Sequence, residues 1–233
     1  MTTIEGSVAL VTGGSRGIGR ALVTTLYERG AKKVYATARD PRTVTHPDAV
    51  PLALEVSDAA SVAAAAEQAQ DVTLLINNAG ASVKAGFLDS PVEDVRREFE
   101  TNFYGPLLVT RAFVPVIERN GGGHILNVHS VLSWLGIAGS YSASKAALWS
   151  QTNSLRLDLR PRGIEVTGLH VGYVDTDMTA KIDAPKVTPE SVAAQALDGI
   201  ESGAHEVLAD DLTRQVKAGL AADLATLYPQ LAA

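Results

Sequence analysis

The sequence predicts an α/β fold, one domain built on a doubly wound parallel sheet of about seven strands with helices on both faces. Three observations lead there. Short apolar runs rich in Val, Ile and Leu alternate along the chain with segments of helical periodicity. The first run ends in a glycine-rich turn that opens directly into a helical pattern. The residues with chemistry to offer follow the ends of these runs, where open α/β sheets bind their ligands.

Ser7 to Thr12 reads as the first strand, and from Ile18 to Tyr27 the apolar positions switch to helical spacing. Between them lies Thr12-Gly13-Gly14-Ser15-Arg16-Gly17-Ile18-Gly19. Glycines there let the backbone turn sharply and approach a pyrophosphate, while the helix that follows offers free N–H groups and its positive dipole end. The second strand, Lys33 to Ala38, leads to Arg39 and Asp40. An acid at this strand end suits a free ribose 2′-hydroxyl and an arginine suits a 2′-phosphate. Arg39, with Arg16 from the turn, therefore favours NADP(H) over NAD(H), unless Arg39 is spent on Asp40 or Asp58.

Pro51 to Asp58 reads as the third strand, with Glu55 and Val56 in it, and the alanine-rich stretch Ala59 to Gln70 as a helix. The fourth strand, Val72 to Ile76, delivers Asn77-Asn78-Ala79-Gly80. Ser90-Pro91-Val92-Glu93 has the form of a capped helix start, opening a helix through Asn102 and Gly105 toward Ile117. Asn102 is unusual among Phe99, Phe103 and Leu107, which marks it as a candidate; a structural amide at a kink near Gly105-Pro106 is the competing reading. The fifth strand, Gly123 to Val128, leads into Ser130, and a helix from Tyr141 to Leu159 precedes a sixth strand, Ile164 to His170. Only Asp177 to Thr188 separates Thr176 from the next helix start at Pro189, so any cover over the site is short. A helix-like tail, Leu212 to Leu227, ends the pattern.

On a helix, Tyr141 and Lys145 share one face about one turn apart. A phenol titrates near ~10 in water, and an ammonium fixed within ~4–6 Å lowers that value. Tyr141 is thus a candidate general acid/base. The Ser130 hydroxyl, at the end of the preceding strand, would hold a substrate oxygen beside the phenol. Taken alone, the pair equally suits an amphipathic surface, and the motifs elsewhere decide for chemistry.

Composition excludes several classes. Hydrophobic residues make up 46% and charged residues 20% of the 233 positions, which marks an ordinary globular chain. A net charge of -6 argues against nucleic acid or an anionic membrane as partner. With no cysteine there is neither disulfide framework nor thiolate nucleophile. The five histidines lack ligand spacing, so no metal is expected; His129, beside Ser130, is the one closest to the chemistry. No apolar run approaches the ~20 residues of a membrane helix, and no leader pattern opens the chain, so a cytoplasmic protein is expected.

Together these motifs resemble the short-chain dehydrogenase/reductase family, over nearly the whole chain to about Asp210. Thr12-Gly13-x-x-x-Gly17-x-Gly19, Asn77-Asn78-Ala79-Gly80, Asn102, Ser130 and Tyr141-x-x-x-Lys145 occur in the family's order. The resemblance implies a Rossmann-like domain over 1–233 and hydride transfer between a nicotinamide and a ketone, aldehyde or alcohol. It implies that Tyr141 moves the proton, Lys145 holds the nicotinamide ribose and lowers the tyrosine pKa, Ser130 orients the carbonyl and Asn102 positions a relay water. Cofactor contacts would fall on Gly13, Ser15, Arg16, Gly17, Ile18, Gly19, Arg39, Glu55, Val56, Asn77, Ala79 and Gly80, with Tyr141, Lys145, Gly172, Val174 and Thr176. A homodimer or homotetramer is implied as well.

The chain departs from the family pattern in four places. Ser130 precedes Tyr141 by eleven residues where the family more often has thirteen, which makes Ser133 a rival for the serine role. Val171-Gly172 stands where Pro-Gly is usual, Glu55 where an aspartate is usual, and a helix-like tail replaces a glycine-rich finish. Trp134, Leu135, Tyr173 and Met178 are candidates to line an apolar pocket for aryl or alkyl carbonyls, although Trp134 and Trp149 equally suit a core or interface. The reading is an NADP(H)-dependent carbonyl reductase. A nucleotide sensor without turnover, or an NAD-linked hydroxysteroid or polyol dehydrogenase, is the alternative.

Overall fold

The computed structural model describes residues 2–231. Its centre is one parallel sheet of seven strands: β1 (Val8–Val11), β2 (Lys33–Ala38), β3 (Val50–Ala53), β4 (Leu74–Asn77), β5 (Gly123–Val128), β6 (Ile164–His170) and β7 (Glu206–Leu208). They lie in the order β3-β2-β1-β4-β5-β6-β7. All of β1 and β4 is buried because helices cover both faces, which is why these strands read as unbroken apolar runs.

The helices are α1 (Gly17–Glu28), α2 (Ala59–Gln68), α3 (Val92–Phe99), α4 (Gly105–Arg119), α5 (Gly139–Leu159), α6 (Pro189–Ser202), α7 (Asp211–Gly219) and α8 (Leu224–Leu227). On one face, Leu22 and Leu26 of α1 and Val192, Leu197 and Ile200 of α6 pack with Ala9, Val11 and Ile76 of the sheet. On the other, Val62 of α2, Phe113 and Ile117 of α4 and Leu159 of α5 meet Leu10, Leu75 and Ile125. The strand order reverses between β1 and β4, and this switch point leaves a crevice at the carboxyl ends of the strands.

Four boundaries differ from the sequence reading. The third strand stops at Ala53, so Glu55 and Val56 lie in the loop that follows, where the Glu55 carboxylate accepts from the backbone and hydroxyl of Ser57. Ser90 does not cap α3; its hydroxyl accepts from Gly86 N at 2.9 Å and Pro91 takes the cap position. The long helix toward Ile117 is divided by a π-helical turn at Glu100–Tyr104, a wider coil that re-aims one side chain inward, in this case Asn102. The tail is two helices, α7 and α8, separated after Gly219.

Candidate active site

The glycine turn is built by close approach. Gly13 and Gly17 have φ of 64° and 51°, a region glycine enters at no steric cost. A methyl group at Gly19 would stand 2.0 Å from the Gly13 carbonyl oxygen and 2.6 Å from Asn78 Nδ2. The helix that follows, α1, has no side-chain cap and no acid in its first turn, and the amides of Gly17, Ile18 and Gly19 have no partner among the described residues. Such an end accepts an anion. Ser15 and Arg16 lead into it, half-buried and exposed respectively.

Thr12 joins this turn to the fourth strand end. Its hydroxyl accepts from the amides of Asn78 and Ala79, each at 2.9 Å, and the Asn78 side-chain amide donates back to Thr12 O and Gly13 O. Asn77 points the other way: its amide donates to Asn127 Oδ1 at 2.9 Å and Thr110 Oγ1 at 3.2 Å inside the α4–α5 face. Among the Asn77–Gly80 side chains it is Asn78, a residue sequence reasoning passed over, that binds the glycine turn.

Arg39 is exposed at the end of β2 and forms no ion pair among the described residues. Both expected rivals for it are engaged elsewhere. Asp40 holds Arg42 at 2.8 Å, and Asp58 caps α2 through Ala60 N. Arg16 reaches Asp177 at 3.7 Å with both side chains largely exposed, a weak pair. The late segment closes on the turn, since a methyl at Gly17 would lie 3.1 Å from Thr176 Cγ2. Of the other two residues expected there, Val174 is buried against Val187, and the Gly172 amide donates to Asp210 Oδ2 at 2.6 Å. The turn and the α1 amides, which have no partner among the described residues, fit the pyrophosphate of a dinucleotide, and Arg39 stands exposed at the neighbouring strand end. Val56, by contrast, buries its side chain in the core beside Gly105.

Ser130, Tyr141 and Lys145 meet at the end of β5. Ser130 accepts from Leu132 N at 3.2 Å and starts a short turn, Val131–Ser133. Ser133 is buried and its hydroxyl accepts from Ser130 N, so it serves the turn, leaving Ser130 facing the phenol. Lys145 is 4% exposed, its Nζ donating to Val128 O at 2.9 Å. A methyl at Gly80 would stand 3.7 Å from that Nζ and 3.3 Å from Asn102 Oδ1, which places the fourth strand end directly against the pair. Asn102, fully buried, donates to Ala81 O and Ser144 Oγ and accepts from Ala81 N.

The electrostatics differ from expectation. Burial pushes the Tyr141 phenol up to about 12; the Ser130 hydrogen bond opposes this and the Glu98 charge adds to it. Lys145 stands 5.9 Å from the centre of the Tyr141 ring and does not bring the phenol below its ordinary value, because burial, which disfavours the phenolate, outweighs it. Burial lowers Lys145 to about 8, so near neutral pH the ammonium and the phenol both carry their protons.

Trp134 is not a pocket wall. It stacks on His170 at 4.2 Å between ring centres, meets Trp149 edge-on, and carries Lys217 of α7 over its face at 4.7 Å. His129 stacks on the other side of His170, buried and held neutral by that burial, far from any proton-transfer role. These rings seat the tail, whose Tyr228 hydroxyl accepts from Gly136 N at 3.0 Å. Ile137, Tyr173, Met178 and Leu212 remain exposed, Leu212 beside Gly172 and Tyr173 and Met178 within three residues of Thr176. A separate cavity of about 500 Å³, bounded by Gly6, Thr73, Gly122 and Arg160, lies at the opposite end of the sheet and holds none of the motif residues. Among the described residues no acid or histidine cluster has metal-binding form, and no helix is long and apolar enough to cross a membrane.

Comparison with known proteins agrees with this geometry. The family model for short chain dehydrogenases matches residues 7–186. A ketoacyl reductase, HetN of Nostoc sp., is 31% identical, the match covering 89% of this chain and 80% of that protein. An NADPH-dependent 1-acyldihydroxyacetone phosphate reductase of Schizosaccharomyces pombe is 37% identical over 74% of this chain and 61% of its own length. A short chain dehydrogenase of Burkholderia cenocepacia, solved in complex with NADP, superposes with a TM-score of 0.93 at 38% identity, covering 98% of each chain. The chain belongs to the short-chain dehydrogenase/reductase family of oxidoreductases.

Proposed function

We propose that this protein is an NADP(H)-dependent reductase of ketones and aldehydes, working as one domain, with Tyr141 as the general acid/base. The observation that carries the reading is the meeting of Ser130, Tyr141 and Lys145 beside Gly80, at the carboxyl end of the sheet. Unpaired Arg39 supports NADP(H) over NAD(H), and the NADP complex of the Burkholderia cenocepacia relative points the same way. The bound nicotinamide supplies or accepts the hydride.

The chain's own part is the proton and the geometry. With its pKa near 12, Tyr141 carries a proton at neutral pH and is set to donate it to a substrate oxygen, the direction of carbonyl reduction. Ser130 donates to the same oxygen and orients it. Lys145 would hold the nicotinamide ribose and place positive charge beside the phenol as a proton leaves it. Asn102 holds the Ala81 backbone at both its amide and carbonyl, which fixes the fourth strand end against Lys145. Exposed Tyr173 and Met178, flanking Thr176 in the chain, and Leu212 beside Gly172 suit aryl, alkyl or acyl carbonyls.

The test follows NADPH and NADH absorbance with purified protein and a panel of aryl ketones, aldehydes and a 3-oxoacyl thioester. Turnover with NADPH that Tyr141→Phe abolishes is expected. Nucleotide binding without turnover across the panel would reassign the protein as a sensor.

A further inference from the structure

We infer that Glu98 is a positioning residue for Tyr141 and Lys145, forming with Asn102 a two-rung clamp between α3, the strand-end loop after Gly80 and the first turns of α5. The inference rests on the proton-transfer role proposed for Tyr141.

The two rungs have the same construction. In one, Asn102 binds the Ala81 backbone and the Ser144 hydroxyl. In the other, the Glu98 carboxylate accepts from Val83 N at 2.6 Å and from the Ser140 hydroxyl. Ser140 and Ser144, four residues apart on α5, lie on one face, and the π-helical turn after α3 aims Asn102 toward the same segment that Glu98 meets from α3. Ala81 and Val83, two apart in the loop after Gly80, each meet one rung through the backbone. Ser140 and Ser144 immediately precede Tyr141 and Lys145, so each reactive residue follows a pinned neighbour.

Glu98 is fully buried and has no cation within ion-pair distance among the described residues. A buried carboxylate without a cation is costly, and an apolar side chain would fill the same volume without that cost. What the carboxylate adds is two accepted hydrogen bonds and a negative charge at the uncapped first turn of α5, where the helix dipole favours it. The charge also reaches the phenol. Facing Tyr141 are Lys145 from α5, Glu98 from α3 and the neutral Ser130 from the end of β5; burial chiefly keeps the proton on the phenol, and the Glu98 carboxylate adds to it.

Glu98→Gln keeps the volume while removing the charge and one accepted bond. Two readouts are taken: kcat and KM for NADPH-driven ketone reduction across pH, and the ultraviolet absorbance of the Tyr141 phenolate. The latter is measured as the difference between each protein and its Tyr141→Phe counterpart, so it needs no turnover. The expected result is a fall in kcat of about tenfold or more, larger than any accompanying rise in KM for NADPH, since the reacting geometry is what the clamp sets. The phenolate should appear at lower pH than in the parent. A folded Glu98→Gln protein with parental kcat and parental phenolate titration overturns the inference. Should that variant fail to fold, Ser140→Ala breaks the same rung from α5, and parental kcat there overturns it equally. If the parent protein turns over no substrate, the functional reading fails on its own, and the phenolate titration still decides whether Glu98 governs the environment of Tyr141.

Discussion

Lys145 donates to the Val128 carbonyl oxygen at 2.9 Å while standing 5.9 Å from the centre of the Tyr141 ring. The ammonium is therefore anchored to the end of β5, the strand that also delivers Ser130, and its distance from the phenol is set by the sheet. A cation held in that way is a stability cost retained for chemistry, and it can be measured.

Lys145→Met should abolish turnover and stabilise the fold. Burial lowers Lys145 to about 8 from 10.5, so the unfolded chain binds its proton more tightly than the folded one. Near pH 7 that difference costs the folded state on the order of 3 kcal/mol. The cost shrinks as pH rises from about 8 to 10.5, because over this window only the unfolded state still carries the proton. Thermal melts near neutral pH should place the variant several degrees above the parent, with the gap closing in alkaline buffer.

Arg39→Ala should separate the two cofactors. A charge-assisted bond to a 2′-phosphate contributes about 1.5–3 kcal/mol, so KM for NADPH should rise roughly 10- to 100-fold while KM for NADH stays within about twofold. Equal losses for both nucleotides would place Arg39 outside the adenosine site.

Gly19→Ala should end nucleotide binding, because its methyl group has no room between Gly13 and Asn78. The overpacking should cost about 3 kcal/mol or more of stability. Gly219→Ala, at the end of α7 with nothing within 4 Å, is the control and should leave both binding and melting temperature unchanged. Nucleotide fluorescence titration and thermal melts read the pair.

Acid should unfold the protein through its buried histidines. Burial lowers His124 to about 4, and His129 and His170 are also lowered from 6.5. Below pH 6.5 the unfolded state takes up protons that the folded state refuses, so stability falls with pH. His124 alone should account for about 2 kcal/mol of loss by pH 5. Urea midpoints at neutral pH and near pH 5 should differ less in His124→Gln than in the parent.

Read residue by residue, the sequence by itself determined the strand and helix alternation, the glycine turn, and the Tyr141–Lys145 face. All of these depend on spacing along the chain: a period of two or about 3.6, a left-handed turn, a four-residue helical step. It also placed Arg39 and Ser130 at strand ends, because a strand's end is visible where its apolar run stops. Tertiary structure decided the rest. Glu98 and Ser140 are 42 residues apart, Gly172 and Asp210 are 38 apart, and Gly136 and Tyr228 are 92 apart, and no local pattern brings such pairs together. The π-turn that aims Asn102 inward carries no mark in the apolar periodicity, since Phe99, Phe103 and Leu107 keep a helical step across it. The state of Tyr141 turned on burial, which raised the phenol although a lysine stands one helical turn away, because desolvation by packed neighbours from several elements is a property no sequence spacing displays.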